Sequence, residues 1–95
     1  MQFLHTGQLI LRCRTLGHTS GTSARHALAV LLRQLREEAG LRQVDLAKAI
    51  GEPQSFVSRY ESGERRLDLL ELRAVCRALK CPLNEFVRRF EEQVP

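Results

Sequence analysis

The chain has 95 residues, which is enough for one small domain but argues against two separate cores. An apolar share of 43% is ordinary for a globular protein, and an aromatic share of only 5% favours helices with an aliphatic core over strands. The formal net charge of +4 attracts polyanions, while three cysteines without a regular spacing argue against a disulfide framework.

Residues 1–22 are predicted to form a flexible N-terminal arm. The stretch "GHTSGTSARH" is rich in Gly, Ser and Thr, which cannot bury enough surface to offset the entropy lost on ordering. Earlier in the arm, "QLILRCRTL" alternates apolar and polar residues. This pattern suits either a disordered extension or a short strand added to a partner. We find no signal peptide pattern, and no apolar run approaches the roughly 20 residues that a membrane helix needs.

From residue 23 onward, apolar residues at helical spacing predict five short helices. Glycines placed to stop a helix follow the first three, at Gly40, Gly51 and Gly63. The predicted buried stripes of these three helices contain Leu28, Leu31, Leu32, Leu35, Ala39, Val44, Ala47, Ile50, Val57 and Tyr60.

Helices four and five follow after residue 67. Asp68 and Glu71 form an acidic capping pair before helix four, and Pro82 suits the first turn of helix five. The predicted stripes contain Leu69, Leu72, Val75, Cys76 and Leu79 in helix four, and Leu83, Phe86, Val87 and Phe90 in helix five. We expect Cys76 to be a small core residue.

Helices two and three are joined only by "GEP", which predicts a compact crossing with small residues at the contact. Ala47 and Gly51 supply the small residues, and Val57 is expected to project into the same junction. We interpret this spacing as a device that fixes the angle between the two helices.

Helix three has a polar outer face without a carboxylate. Its members are Gln54, Ser55, Ser58, Arg59 and Ser62. Gln and Arg can make bidentate hydrogen bonds to adenine and guanine edges in the major groove. The alternative, for this face taken alone, is an ordinary solvent-exposed surface.

Residues 28–90 resemble the phage-repressor helix-turn-helix family, also known as the Cro and repressor or XRE type. The motifs that carry the resemblance are "AGL", "Q..LA...G" and "SRYESGER". The resemblance implies an all-α fold, a five-helix lambda-repressor-like DNA-binding domain over residues 23–95, with the helix-turn-helix motif at 43–62. Helix three would then enter the major groove, and helix two would lie across the DNA backbone.

The resemblance also assigns roles to individual residues. Base-reading contacts are expected from Gln54, Ser55, Ser58 and Arg59. Backbone contacts are expected from Arg42, Gln43, Phe56, Ser62, Arg65 and Arg66. Gln43 should meet Gln54, and Phe56 should point toward the DNA backbone or a thymine methyl. Arg36 and Glu61 match a structural salt bridge between helix one and the end of helix three. Arg42 stands where the family has a capping Thr or Ser, so helix two loses a cap and gains a phosphate contact.

These roles imply a sequence-specific transcriptional regulator, a repressor that binds a pseudo-palindromic operator as a homodimer in the nucleoid of the cytoplasm. The alternative is an antitoxin or another protein-interaction module that binds DNA secondarily, with a partner on residues 1–22 or on helix five. In helix five, Phe86, Val87 and Phe90 are either a dimer surface or core filling.

We predict neither an enzyme nor a cofactor or metal site. His5, His18 and His26 lie in or beside the arm, no acid pair has a supporting motif, and Cys13 lacks the paired spacing of a zinc site.

Overall fold

The computed structural model of the protein describes residues 21–94. The helices in this range are α1 (Gly21–Glu38), α2 (Gln43–Ile50), α3 (Gln54–Glu61), α4 (Leu69–Ala78) and α5 (Leu83–Gln93). This order confirms the all-α, five-helix prediction, although α1 begins two residues earlier than predicted. The predictions for residues 1–20, including the arm, its strand and any zinc site with Cys13 and His18, lie outside the described residues.

One apolar cluster lies between the helices in the described range. It consists of Leu31, Leu32, Leu35, Leu46, Ala47, Phe56, Val57, Tyr60, Val75, Cys76, Leu79 and Phe86. The second helix packs against α3 and α4, the first packs against α3 and α5, and α4 also packs against α5. Cys76 is in this cluster as predicted, and burial raises the pKa of its thiol to about 11. Residues of both α2 and α3 are part of this core, so it fixes the position of the two helices relative to each other.

Four predicted stripe positions are wrong because they lie at the surface. The exposed residues are Ala39, Val44, Leu69 and Val87. Leu46, which the predicted stripe of α2 omits, is completely buried. An eight-residue helix is too short for spacing alone to separate adjacent faces, and α4 covers the side that carries Leu46 and Ala47. Leu69 is the first residue of α4, whereas the buried residues of that helix, Val75 and Cys76, lie nearly two turns further on.

The capping pair of α4 is present as predicted. The Asp68 carboxylate accepts a 2.7 Å hydrogen bond from the Glu71 backbone N–H. The Glu71 carboxylate accepts a 2.9 Å hydrogen bond from the Asp68 backbone N–H. Two otherwise unpaired N–H groups at the start of the helix are satisfied in this way.

Gly51 ends α2 in a left-handed conformation, with φ of 72°. Its N–H donates to the Lys48 carbonyl at 3.2 Å, and the Glu52 N–H donates to the Ala47 carbonyl at 2.9 Å. A Cβ added at Gly51 would meet nothing within 4 Å. The prediction that Gly51 provides a small contact surface is therefore wrong, and the glycine is required by its backbone conformation.

Substituting Gly51 with Ala is expected to lower the free energy of unfolding by about 1 kcal/mol, because a Cβ disfavours the left-handed conformation. Gly51→Asn should cost less, since asparagine adopts this conformation more readily. Urea unfolding followed by circular dichroism measures both. If close packing were the constraint, the larger Asn would be the more damaging replacement.

Candidate nucleic-acid interface

The two sides of α3 differ in burial and chemistry. Phe56, Val57 and Tyr60 are buried in the core. The opposite side presents the exposed side chains of Gln54, Ser55, Ser58 and Arg59. The structure thus brings the four predicted base-reading residues together on one open face, which we call the reading face.

A buried ion pair anchors the end of α3 to α1. The guanidinium of Arg36 donates two hydrogen bonds to the Glu61 carboxylate, of 2.7 and 3.0 Å, and a third to the Leu41 carbonyl at 2.7 Å. Only 10% of the Arg36 side chain and 4% of the Glu61 side chain are exposed. The hydrogen bond to Glu61 raises the pKa of Arg36, so the guanidinium keeps its charge. The structure brings these two residues together in the way the resemblance implied.

Gln43 extends this network to the reading face. Its Nε2 donates to Glu61 Oε1 at 3.0 Å, while its Oε1 accepts a 3.4 Å hydrogen bond from Gln54 Nε2. The predicted contact between the two glutamines is therefore present. The longer bond is the weaker one, and it connects the exposed Gln54 to a partly buried support.

The start of α2 is held by Arg42 and Asp45. The Asp45 carboxylate accepts from the Arg42 backbone N–H at 2.9 Å and from its guanidinium at 3.0 and 2.9 Å. These bonds, chiefly that of the side chain, lower the pKa of Asp45 to about 2. Arg42 supplies no side-chain cap, as predicted, but Asp45 satisfies one N–H at this end. The guanidinium, which was predicted to contact phosphate, is paired with Asp45.

The predicted orientation of Phe56 is wrong. Phe56 is only 8% exposed, and its ring packs edge-on against Tyr60, with 5.7 Å between the ring centroids. The guanidinium carbon of Arg65 lies 4.5 Å from the Phe56 centroid. Phe56, Val57 and Tyr60 follow the spacing of a buried helix face, and this signal in the sequence could have placed the ring in the core.

Arg65 is bound within the protein rather than free for phosphate. It donates hydrogen bonds of 3.2 and 3.0 Å to the Glu71 carboxylate, and a further bond of 2.8 Å to the Arg66 carbonyl. The bonds to Glu71 from Arg65 and from Asp68 lower the pKa of Glu71. Glu71 thus ties the loop to α4 as well as capping it, a second role that the sequence analysis missed.

Ser62 and Arg66, the other two loop residues predicted to contact the DNA backbone, differ in whether their side chains already have partners. The Ser62 hydroxyl donates to the Arg59 carbonyl at 3.0 Å and also lies 3.1 Å from the Glu64 carboxylate. Arg66 is exposed, and in the described part of the chain it takes part in no ion pair. Of the basic residues predicted to contact phosphate, Arg66 is the one whose guanidinium is fully available.

Burial separates the three α5 residues that the sequence left as either dimer surface or core filling. Phe86 is 1% exposed and belongs to the core, so it cannot form an intermolecular surface. Phe90 is partly buried against the same cluster, whereas Val87 is 44% exposed. The core-filling alternative is thus correct for Phe86.

The comparisons with known proteins agree with this geometry. A family model described as helix-turn-helix matches residues 32–86. An XRE-family like protein from Pseudomonas syringae pv. tomato str. DC3000 is 37% identical, with 83% of this chain and 96% of that chain covered and a TM-score of 0.75. This chain belongs to the XRE-type helix-turn-helix family.

Two further solved structures share the fold of this XRE-type chain. The clp gene regulator ClgR from C. glutamicum is 25% identical, with a TM-score of 0.69, and covers 76% of this chain and 92% of its own. The restriction-modification controller protein C.Esp1396I was solved as a tetramer with its natural 35 base-pair operator. It is 20% identical, with a TM-score of 0.70 and with 75% of this chain and 93% of that chain covered. No curated protein matched the sequence.

The family assigns this XRE-type chain to the DNA-binding transcription regulators. Between residues 21 and 94, no helix is long and apolar enough to cross a membrane.

Proposed function

We propose that the protein is a sequence-specific repressor that binds a pseudo-palindromic operator as a homodimer in the nucleoid. The reading face would enter the major groove, with Gln54 and Arg59 making the base contacts that carry most of the specificity. Ser55 and Ser58 would contribute shorter contacts beside them. Gln43 and Arg66 would hold phosphates on either side and set the depth of α3 in the groove.

The observation that carries this proposal is the pairing pattern around α3. Its structural carboxylate, Glu61, is buried and fully engaged by Arg36 and Gln43. Arg59 remains exposed and takes part in no ion pair of the described chain. An unpaired guanidinium on a rigid helix meets a base edge without first breaking an internal contact.

The exposed Val87, flanked by Phe90, supports a dimer contact on the outer side of α5. A two-fold dimer would place two reading faces about one helical turn apart, roughly 34 Å. C.Esp1396I, which has the same fold, occupies its operator as a tetramer. This likeness supports assembly on DNA, and sedimentation of the protein with its operator would measure the number of subunits.

We expect the purified protein to bind DNA from upstream of its own gene in the presence of competitor DNA. Fluorescence anisotropy across a salt series should show the logarithm of the affinity falling linearly with the logarithm of salt, with a slope of about −0.9 per phosphate contact. Footprinting should show two half-sites. Binding that competitor DNA removes at every salt concentration would contradict sequence specificity and favour a protein-interaction module.

A further inference from the structure

A shallow apolar cleft separates the C-terminal end of α2 from the outer side of α4. We call it the α2–α4 cleft, and its apolar lining consists of Ala49, Ile50, Leu70, Ala74 and Ala78. Leu70 is 74% exposed, the most exposed of the large apolar side chains described. No residue of α3 lines the cleft, so it is separate from the reading face.

Two unpaired arginines border this cleft. Arg73 and Arg77 line it together with the apolar side chains, and Lys80, just after the end of α4, lines a neighbouring pocket with both of them. Arg33, Arg36, Arg42, Arg65, Arg88 and Arg89 each pair with a carboxylate. Within residues 24–94, neither Arg73 nor Arg77 appears in any of these pairs. The cleft thus combines an apolar floor with an unneutralised basic edge.

DNA is the weaker candidate for this surface. Phosphates would engage Arg73 and Arg77 but would gain nothing from the alanines, Ile50 and Leu70. Two copies of this face packed against each other would bring the arginines of one against those of the other, which is unfavourable. An amphipathic helix with acidic flanks matches both features, because such helices bind grooves through apolar side chains at every third and fourth position.

We propose that the α2–α4 cleft binds an acidic amphipathic helix of a partner protein. The apolar side of that helix covers Leu70 and the floor of the cleft, and its carboxylates pair with Arg73 and Arg77. The reading face stays free, so a regulator bound to DNA can hold this partner at the same time.

The test uses the full chain and a synthetic amphipathic helical peptide about five turns long, with leucines on one face and glutamates beside them. A matched peptide carries Gln in place of every Glu. Anisotropy should show that the acidic peptide binds about tenfold more tightly than the neutral one, with the difference shrinking at high salt. Equal binding of the two peptides, or no binding of either, would overturn the proposal.

Matched variants locate the site. Arg73→Gln with Arg77→Gln should abolish the preference for the acidic peptide, while Arg25→Gln with Arg33→Gln, which removes the same charge from α1, should preserve it. Leu70→Ser should weaken binding about tenfold, whereas Leu69→Ser, at the neighbouring exposed position outside the cleft, should not. Equal effects within either pair would overturn the assignment.

Two further outcomes would replace the proposal. If Arg73→Gln with Arg77→Gln lowers operator affinity about tenfold while the α1 control does not, the basic edge serves DNA. If Leu70→Ser dissociates an oligomer in sedimentation experiments, the cleft is an interface between copies of this chain. Unchanged operator affinity and unchanged oligomeric state are the expected results.

Discussion

Replacing Glu61 with Gln is expected to lower the free energy of unfolding by about 3 to 5 kcal/mol. The substitution keeps the size of the side chain but leaves the Arg36 guanidinium buried without a counter-charge. Both side chains are almost fully enclosed, so water cannot compensate for the lost carboxylate. Since small domains are stable by only about 5 to 15 kcal/mol, the variant should be close to unfolding at room temperature.

Urea unfolding followed by circular dichroism measures this effect without adding salt. Glu37→Gln is the matched control, because Glu37 pairs with Arg33 at the surface, where both side chains are more than half exposed. It should change stability by less than about 1 kcal/mol. Joint replacement of Arg36 by Met and Glu61 by Leu should restore much of the loss, since no buried charge remains. Equal, small effects of Glu61→Gln and Glu37→Gln would show that the ion pair contributes little.

The sequence allowed the number of helices and the polar reading face to be predicted, because both depend on local spacing. The resemblance added the contacts of Arg36 with Glu61 and of Gln43 with Gln54, which join residues far apart in the chain. Spacing within one helix could not have revealed them. Their geometry depends on how α1, α2 and α3 pack together.

The errors concern burial and side-chain partners. The sequence predicted a DNA-facing Phe56 and left Phe86 as either dimer surface or core filling, but other helices cover the sides of α3 and α5 that carry them. Arg65 matched a phosphate-binding position, yet Glu71 lies within reach and takes its guanidinium. A helical pattern identifies which residues share a face, whereas burial depends on the tertiary packing of that face.

Arg59→Ala is expected to weaken operator binding by about 1 to 3 kcal/mol, or roughly 5- to 150-fold, and to relax preference at one base position in each half-site. The exposed guanidinium has no internal partner among the described residues, so its removal should leave the fold unchanged. Binding measured against operators with every base substituted in turn would identify the relaxed position. Circular dichroism of the variant checks that the helices are intact.

The matched control for this loss is Arg66→Ala rather than Arg65→Ala. Removing Arg65 would also break its bonds to Glu71 and its packing over Phe56, so weaker binding would mix a lost contact with a loosened loop. Arg66 is exposed and unpaired in the described chain, and its loss should weaken all DNA sequences alike while reducing the salt slope by about 1. If Arg59→Ala gave that same uniform loss, Arg59 would contact phosphate instead of a base. The specificity would then have to come from Gln54 and the two serines.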